Sequence, residues 1–64
     1  MEEGSNIGLG GGSYGGGIGC VFLAKASTNP TSNPVGGGIL YIDSDTNQLK
    51  FRGSAGTTTI LANP

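Results

Sequence analysis

Four stretches of this sequence carry groups of the kind that do chemistry. Gly10-Gly11-Gly12-Ser13-Tyr14-Gly15 has the G-x-G-x-x-G spacing at which glycines let a backbone approach a pyrophosphate. That chemistry also needs a preceding strand, a following helix whose N-terminus faces the phosphate, and an acidic residue further along. Here the surrounding segment is more than half Gly, so the spacing arises by chance. Asp43-Ser44-Asp45-Thr46-Asn47 opens like a calcium-binding loop, D-x-D-x-N, but the sixth and twelfth positions, which need Gly and Glu, hold Gln48 and Ser54. Asp and Asn suit a hairpin turn for their own backbone-bonding reasons, and a turn is what this stretch predicts.

Cys20 could be a nucleophile, yet the chain has no His to activate it, and its neighbours Val21 and Phe22 predict a small buried hydrophobe. Lys50-Phe51-Arg52 could present a basic and aromatic surface to nucleic acid. Without other basic residues nearby, a solvated sheet face is the expectation for Lys50 and Arg52. Tyr14 among glycines could stack on a sugar or cap a core, and the sequence leaves both open. Asp43 and Asp45 lie beside a turn with nothing in the sequence to push their pKa values apart, so no acid and base pair is expected. No catalysis, cofactor or metal is expected of this chain.

The elements that would position these residues are short strands. Cys20 to Lys25, a continuous apolar run flanked by breakers, predicts a buried strand. Ser27 to Pro34 contains two Asn-Pro steps four residues apart, which hold the preceding residue extended and forbid helix, so a connector is expected. Ile39 to Asp43, a polar turn, and Gln48 to Arg52 predict a β-hairpin. Its first arm is apolar on both alternating faces, Leu40 and Ile42 against Ile39 and Tyr41, and so expects to be covered twice. The second arm alternates Leu49 and Phe51 with Lys50 and Arg52, which predicts one face on core and one on water. Gly53-Ser54-Ala55-Gly56 predicts a second turn, and Thr57 to Leu61 a third strand ending near Ala62. No helix is expected, because no eleven-residue stretch has helical periodicity free of Gly or Pro.

Sixty-four residues, fourteen of them Gly and 34% apolar, bound what such strands can do alone. Each ordered residue costs roughly 1.5 kcal/mol of conformational entropy, and Gly brings no side chain to bury. Chains this small are usually completed by disulfides, a metal or partner chains. One Cys and no His close the first two routes, so oligomerisation is expected. Val21, Leu23, Leu40, Ile42, Leu49, Phe51, Ile60 and Leu61 are the candidates for a core shared between chains. In the glycine-rich start, Ile7, Leu9, Tyr14 and Ile18 are spaced by glycines as if to let backbones approach closely, which predicts an ordered segment. A formal net charge of −1 gives no field to gather nucleic acid or anionic lipid. No stretch carries enough apolar side chains for membrane insertion. Met1-Glu2-Glu3 is unlike the positively charged opening of a secretory signal, so synthesis in the cytoplasm is expected.

Asn33-Pro34-Val35-Gly36-Gly37-Gly38-Ile39-Leu40-Tyr41-Ile42 and Leu49-Lys50-Phe51-Arg52-Gly53-Ser54-Ala55-Gly56-Thr57-Thr58-Thr59-Ile60 together resemble a short module of bacteriophage tail fibres and tail spikes. The resemblance covers residues 18–63. It implies a homotrimer built of interwoven β-structure, part of a virion structural protein that lies in the tail and is made in the host cytoplasm. The expected organisation is a Gly-rich N-terminal segment over residues 1–17 and a β-rich trimerisation or connector module over residues 18–64. The partners implied are other copies of the chain and other fibre or spike domains. The chain is far shorter than a fibre, so it is expected to be a fragment of one. Two alternatives stand beside this: a fibre tip that binds a host-surface receptor or glycan through Tyr14 or Tyr41, and a piece of a polysaccharide-degrading spike whose catalytic residues lie elsewhere.

Overall fold

A computed structural model describes residues 6–64. The charged start at Met1 to Glu3 lies outside the described residues. The architecture is all-β, with no helix among the described residues and five strands in two small sheets: β1 Ile7–Leu9, β2 Val21–Leu23, β3 Gly38–Ile42, β4 Leu49–Gly53 and β5 Thr58–Ala62.

The larger sheet is an antiparallel meander in the order β3-β4-β5. Its first pairing sets Ile39 opposite Arg52, Leu40 opposite Phe51, Tyr41 opposite Lys50 and Ile42 opposite Leu49. Paired residues share a face, so Leu40, Ile42, Leu49 and Phe51 lie on one side and Ile39, Tyr41, Lys50 and Arg52 on the other. We call these the Phe51 face and the Arg52 face. The second pairing sets Phe51 opposite Thr59 and Lys50 opposite Ile60, then shifts at Leu49, which pairs with Ala62 and leaves Leu61 as the extra residue of a bulge.

Turn chemistry fixes both hairpins. Between β3 and β4 the Asp43 N–H donates to the Gln48 carbonyl (2.9 Å), the Asn47 N–H donates to the Asp43 carbonyl (3.1 Å), and Asn47 sits at φ 59°. Asn is among the few residues that tolerate that left-handed conformation. Between β4 and β5 the Gly53 N–H donates to Thr57 (2.9 Å), the Gly56 N–H donates to Gly53 (3.0 Å), and Gly56 takes φ 91°. That is the three-residue hairpin loop with a left-handed glycine.

The smaller sheet pairs β1 with β2 in parallel, Ile7 opposite Val21 and Leu9 opposite Leu23. A parallel pair forbids a tight turn. The connection, residues 10–20, doubles back at Tyr14 to Gly17 through a turn with positive φ at Gly15 and Gly16, closed by the Gly17 N–H on the Tyr14 carbonyl (2.9 Å). Asn6 ties the ends: its Nδ2 donates to the Gly17 carbonyl (3.2 Å), and the Cys20 N–H donates to its Oδ1 (2.6 Å). A parallel bridge from Lys25 to Ile42, with the Ala26 N–H donating to the Ile42 carbonyl (2.9 Å), carries the chain from the small sheet to the meander.

Candidate functional site

The Arg52 face of the meander is strapped. The Asn-Pro connector, residues 27–34, crosses it and is pinned at both ends by side-chain polar contacts. At the first pin, the Asn29 Nδ2 donates to the Asp43 carboxylate (Oδ2, 3.1 Å) and the Ser44 N–H donates to the Asn29 Oδ1 (2.8 Å), so both ends of one amide are used. At the second, Arg52 donates from one terminal nitrogen to the Pro30 carbonyl (3.3 Å) and from the other to the Asn33 Oδ1 (2.9 Å). Asn33 also lies against the second turn, where a Cβ built on Gly56 would stand 3.0 Å from its amide oxygen. Each Asn-Pro step thus docks at a different hairpin turn, and the proline of each holds its Asn out of the helical region.

Asp43 is the centre of this face and the one buried polar residue described, at 6% exposure. One carboxylate oxygen accepts the N–H groups of Asp45 (2.8 Å) and Thr46 (2.9 Å); the other accepts Asn29 and the Lys50 ammonium (2.8 Å). These donors hold its carboxyl far below the usual carboxylate range, the Lys50 hydrogen bond foremost, then the Thr46 and Asp45 N–H groups, against a smaller opposing effect of burial. In return the Asp43 carboxylate raises the Lys50 pKa. The expectation that nothing perturbs Asp43 is therefore corrected: the turn and the strap converge on it. With four donors on two oxygens, its lone pairs are committed to the fold. The expectation of a solvated Lys50 and Arg52 is corrected as well. The Lys50 side chain is 17% exposed, and the Arg52 Nε is buried without a partner, because the strap covers this face where alternation alone assigns water.

The Phe51 face is open. Leu40 is 52% exposed and Phe51 41%, although Leu40 and Phe51 are directly opposite and the pair Ile42 and Leu49 lies next to them, half-buried. Gly38 is what lets the Phe51 ring settle: a Cβ built on Gly38 would fall inside the ring, and one on Gly53 would stand 3.9 Å from it. An aromatic ring lying over a cross-strand glycine pair restores area that the glycines lack.

The eight core candidates do not come together in one place within the chain. Leu40, Ile42, Leu49 and Phe51 form the open face; Ile60 pairs with Lys50 on the opposite side, and Leu61 is the bulge residue. Val21 and Leu23 belong to the other sheet. Val21, Ile60 and Leu61 are more than half exposed, Leu23 is half-buried, and no apolar side chain is buried among the described residues. Cys20 departs from expectation too, being exposed, since it precedes β2 and a single-layer sheet has nothing to cover it. Tyr14 caps its own loop: its hydroxyl overlies Gly8 and Gly12, and its ring meets Phe22 edge-on at 6.4 Å and 77°. The residues that sequence reasoning passed over are Gly38, Asn29 and Asn33, of which the repeated Asn-Pro step was the visible sign. No protein-family model, no curated protein and no solved structure matches this chain.

Proposed function

We propose that this chain is a structural trimerisation or connector module of a bacteriophage tail fibre or tail spike, a homotrimer without catalysis of its own. One observation carries the reading: a meander with well-formed turns whose Phe51 face holds Leu40 and Phe51 at 52% and 41% exposure, in a chain where no described apolar side chain is buried. Folding of so small a chain needs more apolar burial than this, and other copies of the same chain supply it without a disulfide or metal. The sequence blocks on either side of the first turn, which resemble the fibre module, support the choice of assembly. Closed threefold symmetry would let each copy turn the same face to a shared axis and leave no unending array.

In this reading the work is mechanical, holding three chains in register between larger fibre or spike domains in the virion tail. The chain's own residues then have two duties: the Asp43 cluster and the strap fix the meander, and the Leu40 and Phe51 face joins the chains. Light scattering at micromolar concentration tests it. A mass of three chains is expected, and a monomer that unfolds cooperatively would overturn it.

A further inference from the structure

The strap poses a question that the trimer reading does not answer. β3 is apolar on both faces, with Leu40 and Ile42 on one and Ile39 and Tyr41 on the other. A strand with two apolar faces gives an associating chain two ways to dock, and docking through both at once leads to open-ended arrays. In the folded chain the two faces are not equivalent. Ile39 and Tyr41 are half-buried, on the side that the strap crosses, while on the other side Ile42 is half-buried but Leu40 and its cross-strand partner Phe51 are exposed. The strap's hydrogen bonds with the meander sit at its two asparagines and the Pro30 carbonyl. Its eight residues, Ser27 to Pro34, carry no charge and no large apolar side chain. Such a segment contributes little apolar burial of its own but covers what lies beneath it. Its two prolines also lack the N–H that a further strand would need.

We infer that the strap is a two-pin latch that closes the Ile39 and Tyr41 face and so directs self-association to the Leu40 and Phe51 face. Asn29 is the pin at the first turn. Arg52 with Asn33 is the pin at the second. The inference rests on the reading that the chain self-associates through its open face, but its test does not depend on the number of chains.

The test is the double variant Asn29→Ala/Asn33→Ala, followed by amide hydrogen exchange and light scattering beside the unaltered chain. The Ser44 N–H, which donates to the Asn29 Oδ1, reports the latch; the Asp43 N–H, which donates to Gln48 across the hairpin, reports the sheet. Exchange at Ser44 is expected to quicken at least tenfold with Asp43 unchanged, and the single defined mass of the unaltered chain is expected to give way to larger species that grow with concentration. Faster exchange at Ser44 with the defined mass retained overturns the inference, as does unchanged exchange at Ser44. If the double variant loses protection at Asp43 as well, Arg52→Lys decides by the mass alone. It keeps the charge but cannot hold the Pro30 carbonyl and the Asn33 amide together, so growth in mass supports the latch and an unchanged mass overturns it. A defined mass other than three chains sinks the trimer reading alone, because the latch is judged by the change between variant and parent, whereas an unaltered chain that proves monomeric overturns both.

Discussion

Truncating Phe51 to Ala separates what the chain does for itself from what partner chains do for it. Within one chain the ring is 41% exposed and rests over Gly38, beside Leu40. Complete burial of a Phe is about 1.5–3 kcal/mol relative to exposure, so the share covered by the chain itself is about 1–2 kcal/mol. If neighbouring copies cover the rest, the substitution removes a fully buried ring and costs about 3–5 kcal/mol per chain. Thermal unfolding followed by circular dichroism, at two concentrations an order of magnitude apart, reads both the size and the origin of the loss. In a domain of this size each kcal/mol moves the midpoint by roughly 4–8 °C. If the chain assembles as proposed, the midpoint of the unaltered chain rises with concentration, and dilution shrinks that gain. The expected result is a loss in the larger range together with a concentration-dependent midpoint. A loss of about 1–2 kcal/mol, the same at both concentrations, would show that nothing covers this face. An unchanged midpoint would refute the packing of Phe51 over Gly38 itself.

The remaining predictions concern the turns and the cluster between them. Asp43 has a folded-state pKa far below its unfolded value of about 3.9. It therefore contributes stability that is fully present above that value and is lost as pH falls below it; Asp43→Asn should be less stable at neutral pH and should flatten the acid limb of a stability profile measured by urea denaturation, and an acid limb identical to that of the parent would contradict this. Lys50 is shifted upward, so its contribution is complete below its ordinary pKa and lost only as pH rises through the raised value, leaving the neutral range flat. Gly56→Ala places a side chain at φ 91° and against the Asn33 amide, and should cost about 1–2 kcal/mol in urea denaturation; an unchanged midpoint would mean that the second turn does not hold this conformation.

The elements that could be read from the sequence are those whose signals are local. The hairpin of β3 and β4 followed from two strand-forming runs around a turn rich in Asp and Asn, and β5 from a β-branched run after Gly53 to Gly56. The strand at Val21–Leu23 followed from its apolar run, though it is shorter than the expected Cys20 to Lys25 and is not buried, because no second layer covers the small sheet. What could not be read depends on distant residues. The pairing of β1 with β2 rests on Asn6 reaching Gly17 and Cys20, and no periodicity in a glycine-rich segment announces it. The alternation of Leu49 and Phe51 with Lys50 and Arg52 was legible, but which side is covered within the chain was not. That was settled by Asn29 and Asn33, fourteen and nineteen residues away from the groups they bind. Alternation reports that two faces differ; it takes the strap to say which one the chain closes for itself.

That inversion has a physical logic. Charged side chains are costly to bury between chains unless each finds a partner. Here Asp43 and Lys50 pair with each other and Arg52 is held by the strap, all on the side the chain closes for itself, while the paired residues of the Phe51 face are uncharged. A partner chain arriving at Leu40 and Phe51 therefore has no ion or polar group to desolvate on the four paired side chains of this face, and the one cation bridged to it, the exposed Lys25 beside Ile42, lies at its edge. Covering the apolar remainder is favourable in proportion to its area. Under the proposed self-association, the same division would place specificity away from the interface. An open apolar face accepts many partners, so the choice among them must come from the elements around it: the Gly38 position that seats the ring, the bulge at Leu61, and the latch that withholds the other face. Substitutions in those three places should change what the chain assembles into more than whether it folds, whereas substitutions at Asp43 should do the reverse, because that carboxylate joins the turn, the strap and β4 within a single chain.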